Sequence, residues 1–427
     1  MKYYNKLMEC ADRGILEGIQ SERLVRLVKN LYEKVPFYKK ALDEAKINPD
    51  EFKGLDEIDK LPFTTKKDLR DNYPFGLFAV PLKDIVRIHA SSGTTGKPTV
   101  VGYTANDLKV WGEVMARSLF SAGADAESVI QICYGYGLFT GGLGAHLGSE
   151  TLGAVTVPAS TGNTMRQLML MKDFGTSTIC CTPSYAIVIA EEMSKEGYKV
   201  EDFKLRSGVF GAEPWDNKMR KEIEEKLKLK AYDIYGLSEI MGPGVAIECD
   251  AHAGLHIQDD HFLAEIIDPK TLKKLPDGEV GELVITTLTK EGIPLLRYKT
   301  GDLTSITHEK CECGRTTTRI APIKGRVDDM LIIRGVNVFP SQVQTVLAKF
   351  DELSNHFVIN VTRKGALDNM KVTVEIRPEL NINKEQLEKE VSHNLNSMLL
   401  INCNLEIVEP NTIPRTEGKF KRVIDER

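Results

Sequence analysis

The chain has no run that approaches the ~20 consecutive apolar residues needed to cross a bilayer. Its first residues, 1–5, also lack the apolar core of a secretory signal peptide. Neither sign of charge dominates, because 56 Lys and Arg stand against 61 Asp and Glu, for a net charge of -5. This balance excludes a general attraction to nucleic acid or to anionic membranes. We therefore expect a soluble, cytoplasmic protein with a small-molecule partner, no nucleic-acid partner and no membrane partner.

Cysteine is sparse and unevenly spaced. The eight cysteines are scattered over 427 residues, and the pairs Cys180-Cys181 and Cys311-x-Cys313 sit too close for easy bridging within each pair. A reducing compartment is therefore expected. A chain of this length predicts two or more domains, each able to bury its own core.

A short polar loop follows the alternating, strand-like run 85–90. Its glycines allow close backbone approach, its hydroxyls donate hydrogen bonds and its lysine supplies charge, all of which suit a loop that wraps phosphate oxygens. It is not a Walker A loop, because only two residues separate Gly93 from Gly96 and Pro98 follows the lysine. An ordinary Gly/Thr-rich surface turn is the alternative. The candidate phosphate-binding residues are Ser92, Gly93, Thr94, Thr95, Gly96 and Lys97.

Strand-like and helix-like segments alternate beyond this loop, which predicts a parallel sheet covered by helices. Ligands of such sheets collect beyond the carboxyl ends of the strands. An alternating run at 278–287 adds an antiparallel strand pair. We expect an α/β fold with a large N-terminal domain of helix-covered, mostly parallel sheets, an antiparallel, barrel-like portion, and a small mobile α+β C-terminal domain. The predicted parallel strands are 129–133, 154–157, 178–181, 208–210 and 231–234.

Two strand-end loops predict a pocket for a flat apolar group. Tyr136 and Phe139 follow the first predicted strand in a glycine-rich loop, although core aromatics would give the same pattern. Gly211 and Ala212 follow the fourth, where small residues would let a planar ring lie against the backbone.

The loop 235–239 combines an aromatic ring, a hydroxyl and a carboxylate. A purine could stack on Tyr235 while Glu239 holds Mg²⁺ near phosphates, since Mg²⁺ usually takes one or two carboxylates plus phosphate oxygens. A solvated or helix-capping acid is the alternative for Glu239. Asp302, after a glycine, could accept both hydroxyls of a ribose, and a turn-capping aspartate would look identical.

The composition changes over 323–335, where charged and glycine-bearing residues give way to an apolar strand, as expected at a domain junction. The tail 414–422 is polar, basic and contains glycine, so a lysine in it could swing over a phosphate. Solubility alone is the alternative reading of such a tail.

Cysteines and histidines on either side of the 278–287 strand pair predict a tetrahedral zinc site with thiolate ligands. The predicted set is Cys249, His252, Cys311 and Cys313, with His256 as the other histidine that the pattern allows. A few buried cysteines and a histidine would be the alternative. With four protein ligands the site would be structural and without a catalytic role.

Several segments together resemble the signature of the adenylate-forming superfamily of acyl-CoA synthetases, peptide-synthetase adenylation domains and luciferases. Within it the chain resembles the phenylacetate-CoA ligase family, nearly from end to end. The segments that carry the resemblance are 89–103, 134–142, 210–215, 235–239, 300–302, 325–340 and 418–419.

The resemblance implies a two-step ligase that uses ATP, Mg²⁺, coenzyme A and a small aromatic carboxylic acid. It implies phosphate binding by the 92–97 loop, Mg²⁺ at Glu239, and Lys419, Glu239 and Thr95 as the catalytic residues. The pocket for the acid would draw on Tyr136, Phe139, Gly211 and Ala212. The remaining residues implied to bind the cofactors are Glu213, Pro214, Asp233, Tyr235, Gly236, Ser238, Asp302, Arg326 and Gly335.

The same resemblance implies domains at 1–327 and 328–427 with a hinge at Asp328. The C-terminal domain would rotate between the two half-reactions, withdrawing Lys419 and bringing the Gly335 loop to the CoA tunnel. Three rival functions stay open: a ligase for another aryl or heteroaryl acid, transfer to a carrier-protein thiol, and a non-catalytic nucleotide-binding regulator. A homodimer is one assembly that the sequence leaves open.

Overall fold

The computed structural model describes residues 3–91, 98–327, 331–333, 336–364, 367–378, 383–399, 401–415 and 422–426. The chain divides into two compact units. The larger unit comprises residues 1–212 and 223–323, and the smaller comprises 213–222 and 324–427. Each is described by itself.

Helices occur in both units. Within the described residues they are α1 (Lys6–Glu9), α2 (Arg13–Lys34), α3 (Pro36–Glu44), α4 (Lys66–Asp71), α5 (Ala105–Ser121), α6 (Thr140–Leu152), α7 (Thr164–Asp173), α8 (Pro183–Lys195), α9 (Asn217–Leu227), α10 (Pro340–Leu347) and α11 (Lys384–Leu399). Short 3₁₀ turns lie at Leu55–Lys60, Leu82–Asp84 and Val200–Asp202.

The strands of the described ranges are β1 (Arg87–Ser91), β2 (Thr99–Tyr103), β3 (Val129–Ile132), β4 (Val155–Val157), β5 (Thr178–Cys181), β6 (Ser207–Gly211), β7 (Lys230–Leu237), β8 (Gly242–Glu248), β9 (Leu255–Ile257), β10 (Phe262–Ile267), β11 (Gly281–Thr287), β12 (Tyr298–Thr304), β13 (Ile306–Thr307), β14 (Arg319–Ile320), β15 (Gly325–Arg326), β16 (Leu331–Ile333), β17 (Val336–Val338), β18 (Leu353–Lys364), β19 (Leu367–Ile376), β20 (Asn404–Val408) and β21 (Val423–Asp425).

The helix boundaries follow local chemistry. The apolar spacing predicts one helix from Ser21 that is interrupted at Pro36, and the structure has α2 and α3 meeting there, with α2 beginning earlier, at Arg13. Thr65 and Thr104 precede α4 and α5 and form capping boxes. In each, the threonine hydroxyl accepts a hydrogen bond from the backbone N–H three residues later, and the aspartate at that position accepts one from the threonine N–H.

A large mixed sheet forms the centre of the larger unit. Among the described strands its order is β13-β14-β9-β8-β7-β6-β5-β3-β4. Strands β4, β3, β5, β6 and β7 run parallel, and the pairs from β7 to β13 are antiparallel. Strands β5 and β6, in the interior of the sheet, are buried at every position, as expected for parallel strands that helices cover.

Antiparallel strands β10, β11 and β12 form a second sheet of this unit. The run at 281–287 is buried at every position, whereas Tyr298–Thr304 alternates between buried and half-buried residues. The antiparallel strands expected at 278–287 are therefore present.

Buried ion pairs hold helices and strands of the larger unit together. The Arg117 guanidinium of α5 makes a bidentate pair with Asp260, and Arg297 makes one with Glu265 of β10. Each buried guanidinium group is hydrogen-bonded to a carboxylate of opposite charge, which is the condition under which buried charges are tolerated.

The smaller unit has its own apolar core around the four-stranded sheet β20-β19-β18-β21 of the described chain. Helices α10 and α11 contribute Val343, Val346, Val391 and Leu395 to this core. Near the end of this unit, Arg415 makes a bidentate ion pair with the buried Glu375.

The predicted α/β class, with a large N-terminal part and a smaller C-terminal α+β unit, is confirmed. The large sheet is mixed rather than mostly parallel, because the strands beyond β7 all pair antiparallel. The sequence did not predict that 213–222 would belong to the smaller unit. The domain boundary at 327/328 stays a prediction. Within the described ranges, no helix combines the length and the apolarity that a membrane-spanning segment needs.

Candidate active site and metal cluster

The predicted pocket loops lie at one edge of the large sheet. Strands β3, β6 and β7 belong to its parallel part, so their carboxyl ends meet at the same edge. The residues that follow these strands include Tyr136, Phe139, Ser238 and Glu239, and β6 itself ends at Gly211. The strand alternation therefore predicted the placement of these loops correctly.

Glycine is required at two positions of this edge. A Cβ atom at Gly211 would lie 2.4 Å from the Ile234 carbonyl oxygen, and one at Gly236 would lie 1.8 Å from the Gly242 carbonyl oxygen. Ala212 has a φ of 71°, in the left-handed region. The backbone of neighbouring strands thus approaches closely where a flat ligand is predicted.

Tyr235 and Asp302 form one of the buried contacts of the candidate site. The Tyr235 hydroxyl donates to Asp302 Oδ2 at 2.7 Å, and both residues are buried. This hydrogen bond joins the end of β7 to β12 of the second sheet. The carboxylate that the sequence assigns to a ribose is therefore directly adjacent to the ring that it assigns to a purine.

Glu239 is buried, with 6% of its surface exposed, which contradicts a fully solvated acid. The ammonium group of Lys290 donates to the carbonyl oxygens of Glu239 and Ile240 at 3.0 and 2.7 Å. Burial lowers the pKa of Lys290 to about 8, although the carboxylates of Asp107 and Glu239 oppose that shift. A carboxylate oxygen in this setting is a hard donor of the kind Mg²⁺ prefers.

The two predicted pocket aromatics differ in environment. Phe139 is 54% exposed, so it is not a core residue. Tyr136 is half-buried, and its hydroxyl lies 3.2 Å from His146 Nδ1, while His146 Nε2 lies 3.0 Å from Glu150 Oε1. Burial raises the pKa of Tyr136 well above its ordinary value. The exposure of Phe139 excludes the core alternative for this residue, and its place in a substrate pocket stays a prediction.

Other predicted cofactor residues occupy both units. Asp233 lies on β7, where its backbone N–H donates to Glu248 Oε2 at 2.8 Å, and the Ser238 hydroxyl lies 3.0 Å from the Thr140 hydroxyl. Glu213, Pro214 and Arg326 belong to the smaller unit.

Several predicted residues lie outside the described part of the chain: Ser92, Gly93, Thr94, Thr95, Gly96, Lys97, Asp328, Gly335 and Lys419. Strand β1 ends at Ser91 and strand β2, its antiparallel partner, begins at Thr99.

The predicted cysteines do come together. One ligand atom each from Cys249, His256, Cys311 and Cys313 lies within 4.8 Å of the others. Cys249 Sγ is 3.7 Å from Cys311 Sγ, and Cys313 Sγ is 3.5 Å from His256 Nε2. These separations suit a tetrahedron with Zn–S bonds of ~2.3 Å, whose edges are ~3.8 Å. Hydrogen bonds from Cys249 and from His256 lower the pKa values of Cys313 and Cys311, respectively, which favours thiolates at these two residues. The hydrogen bond with Cys313 raises the pKa of Cys249.

The ligand set that includes His252 is corrected by the structure. The His252 ring faces Glu248, with Nδ1 3.4 Å from Oε2, and lies 5.5 Å from the Tyr232 ring. His256 is on β9, which pairs with both β8 and β14, and its Nε2 lies 3.5 Å from Cys313 Sγ. Of the two histidines that the sequence allows, His256 is therefore the one that lies with the three cysteines.

Sequence reasoning missed Lys290, Asp107 and Tyr103, which surround the Glu239 turn. Lys290 stands between a threonine and Glu291-Gly292, a polar turn in which lysine is usually a surface residue. Only the folded structure reveals its burial.

Comparison with known proteins identifies the relatives of this chain. Residues 20–289 match the family model of AMP-binding enzymes, and residues 335–427 match that of the C-terminal domain of AMP-binding enzymes. The phenylacetate-coenzyme A ligase of Thermus thermophilus is 51% identical over 442 residues, with 99% of each chain covered. The chain belongs to the phenylacetate-CoA ligase family of AMP-binding enzymes. Its class, an AMP-forming CoA ligase, agrees with the resemblance found in the motifs.

Further members and structures of related enzymes agree. The phenylacetate-coenzyme A ligase of Escherichia coli is 50% identical over 426 residues, covering 98% of this chain and 97% of that protein. The crystal structure of a 2-hydroxyisobutyryl-CoA ligase in its postadenylation state, bound to R3-HIB-AMP, matches with a TM-score of 0.92 at 28% identity. It covers 100% of this chain and 93% of the other.

Proposed function

We propose that this CoA ligase acts on an arylacetic acid, with phenylacetate as its preferred substrate. The observation that carries the proposal is the convergence of the strand-end loops with Asp302, held at 2.7 Å by Tyr235, at one edge of the sheet. The relatives at 51% and 50% identity are phenylacetate-coenzyme A ligases, which supports the choice of acid.

The reaction has two displacement steps. A carboxylate oxygen of the acid attacks the α-phosphorus of ATP, the bond from that phosphorus to the bridging oxygen breaks, and pyrophosphate leaves. The CoA thiolate then attacks the acyl carbonyl carbon, and AMP departs with the oxygen that it gained. No oxidant or reductant is required.

Each part of the nucleotide has a proposed holder. Tyr235 stacks on the adenine, which Glu213 and Pro214 flank. Asp302 accepts hydrogen bonds from the ribose hydroxyls, and Arg326 donates to the ribose oxygens. The 92–97 loop, Thr95 included, holds the β- and γ-phosphates. Asp233, Gly236 and Ser238 line the same strand end. Mg²⁺, when bound at the buried Glu239, would neutralise phosphate charge.

Lys419 is the proposed catalytic cation. It bridges the acid carboxylate and the α-phosphate, so it supplies positive charge where negative charge develops in the transition state. Rotation of 328–427 about Asp328 would then withdraw it and bring the Gly335 loop to the CoA tunnel, because one cavity cannot release pyrophosphate and admit a thiol under the same lid.

The acid pocket is proposed to consist of Tyr136, Phe139, Gly211 and Ala212. Gly211 lets β7 approach β6 closely at this strand end, since a Cβ atom there would lie 2.4 Å from the Ile234 carbonyl oxygen. Such a pocket separates acids that differ by one methylene by only ~10 to 200-fold, so neighbouring arylacetates should also react.

The test is AMP and pyrophosphate formation with a panel of carboxylic acids, with and without CoA. We expect phenylacetate or a close arylacetate to have the highest kcat/KM and CoA to be consumed. Thioester formation on a carrier protein but not on free CoA would favour the carrier alternative. ATP binding without pyrophosphate release for every aryl acid would contradict the proposal and favour a regulator.

We also propose a structural zinc ion at Cys249, His256, Cys311 and Cys313, which we term the CCHC cluster. Four soft and borderline ligands within 4.8 Å are the donor set of closed zinc sites. The cluster joins the loop after β8 to strand β9 and to the loop before β14. Zinc there would hold these segments together without contacting substrate.

A further inference from the structure

Four consecutive carbonyl groups of the turn that carries Glu239 are satisfied by two buried side chains. Lys290 Nζ donates to the carbonyls of Glu239 and Ile240. Tyr103 Oη donates to Met241 O at 3.1 Å and, more weakly, to Ser238 O at 3.4 Å. The backbone of 238–241 is thereby fixed from outside the turn, by residues of a hairpin strand and a distant loop.

Both donors are themselves held in place. The Tyr103 ring stacks on Trp111 at 4.9 Å and 13°, and His89 packs edge-on against both rings. The Lys290 ammonium lies 4.8 Å from the centre of the Tyr103 ring. Hydrogen bonds of Asp107 with the N–H groups of Glu291 and Gly292, at 2.7 and 2.9 Å, fix the backbone next to Lys290.

A buried ammonium group is costly unless its partners compensate for the lost water. Lys290 is 3% exposed and forms no ion pair with any carboxylate in the described part of the chain. Its partners are two carbonyl dipoles and an aromatic face, and the carboxylates of Asp107 and Glu239 act on it from farther away. A neutral side chain would fill the same space at a lower desolvation cost. We therefore interpret the ammonium group of Lys290 as the donor that holds the backbone of the turn in its conformation.

We propose that Lys290 and Tyr103 are positioning residues that orient the 238–241 turn, and with it the Glu239 carboxylate, for the magnesium–nucleotide complex. The inference rests on the proposed function of Glu239 as the magnesium ligand. Lys290 acts through Glu239 and does not touch the nucleotide. Without it, the Glu239 and Ile240 carbonyls would lose their donor and the turn would relax.

The test compares Lys290→Met and Tyr103→Phe with wild type. Acid-dependent ATP–pyrophosphate exchange is measured against Mg²⁺ concentration, and ATP binding is measured by calorimetry with Mg²⁺ and with EDTA. We expect Lys290→Met to raise the half-saturating Mg²⁺ concentration about tenfold and to weaken ATP binding about tenfold with Mg²⁺ but less than about twofold in EDTA. Tyr103→Phe keeps the stacked ring and should give roughly a two- to fivefold effect in the same direction, which keeps the test valid should Lys290→Met fail to fold.

Lys218 provides a matched control, because its ammonium also donates to two carbonyls, those of Phe350 and Leu353, in the smaller unit. Lys218→Met should lower the melting temperature without changing the Mg²⁺ dependence. Lys290→Met and Tyr103→Phe variants that only melt earlier, with wild-type Mg²⁺ dependence, would overturn the inference.

Glu239→Gln separates the positioning role from the proposed metal role. If it shifts the Mg²⁺ dependence and Lys290→Met does not, the positioning role fails alone. If Glu239→Gln has no effect, the proposed metal role of Glu239 fails first and the positioning role fails with it.

Discussion

The hydroxyl of Tyr235 determines where one oxygen of Asp302 points. A hydrogen bond to a carboxylate is worth more than a neutral one, and here it is buried. The orientation matters because the proposed ribose would need the Asp302 oxygens at fixed positions. The tyrosine therefore has two proposed roles, as a face for the base and as an orienting donor.

Tyr235→Phe tests the second role alone, because the ring remains. We expect the KM for ATP to rise roughly three- to tenfold with a smaller change in kcat, which corresponds to about 1 kcal/mol of lost binding. Steady-state kinetics with varied ATP would measure it. Tyr232→Phe is the control, since Tyr232 lies on the same strand and donates at 2.7 Å to Asp250. Equal effects of both variants would contradict a specific role for Tyr235.

His356 gives the smaller unit a dependence of stability on pH. Burial, aided by Arg415 and Arg422 and opposed by Glu375 and Glu222, lowers the pKa of His356 to about 4. The unfolded chain therefore takes up the proton first as the pH falls below its ordinary pKa of ~6.5. The stabilisation is fully present above that value and is lost as the pH falls from there to about 4.

His356→Gln should remove this dependence. Denaturant unfolding at about pH 7 and about pH 5 should show wild type losing ~2 kcal/mol more than the variant, by linkage. The pKa of Glu375 is also lowered despite its burial, through Arg415, and this pair remains in both proteins. A variant with the same loss between the two pH values would exclude His356 as the cause.

At the scale of elements, the CCHC cluster joins segments that no helix connects. Cys311→Ala removes one ligand of the proposed zinc, so we expect metal content to fall and the melting temperature to drop by ~5–10 °C while kcat per folded enzyme stays within about twofold. Elemental analysis, thermal unfolding and turnover give the three readings.

Cys403→Ala is the matched control for that variant, because Cys403 is a buried thiol of the smaller unit. It should keep its metal and melt close to wild type. A wild-type protein that carries no metal, together with an unchanged melting temperature for Cys311→Ala, would leave the cluster as ordinary buried thiols and a histidine.

Element boundaries followed from local signals, whereas long-range contacts did not. Pro36 and the threonine caps mark helix ends in the sequence itself, and strand alternation predicted which loops share an edge. The choice of His256 over His252 depended on the pairing of β9 with β14, whose register is set by residues far apart in the chain. Lys290 could not be found, since burial of a lysine depends on what packs around it.

At the scale of the whole molecule, the proposed mechanism assigns the two half-reactions to different arrangements of two units. Lys419→Ala should abolish pyrophosphate release from ATP and acid, because it removes the charge that would stabilise the transition state. It should leave conversion of preformed phenylacetyl adenylate and CoA to the thioester within about threefold of wild type. Rapid-quench assays of each half-reaction would measure the two rates. Equal losses in both would contradict the proposal that Lys419 acts only in the adenylation step.

The central claim is that the acid's own carboxylate attacks the α-phosphorus of ATP. The most direct measurement uses phenylacetate labelled with ¹⁸O in both carboxyl oxygens, ATP, Mg²⁺ and CoA, followed by mass spectrometry of the products. The account predicts one ¹⁸O atom in each AMP formed, none in pyrophosphate and one in the thioester carbonyl. AMP without the label, or label in inorganic phosphate or pyrophosphate, would contradict it.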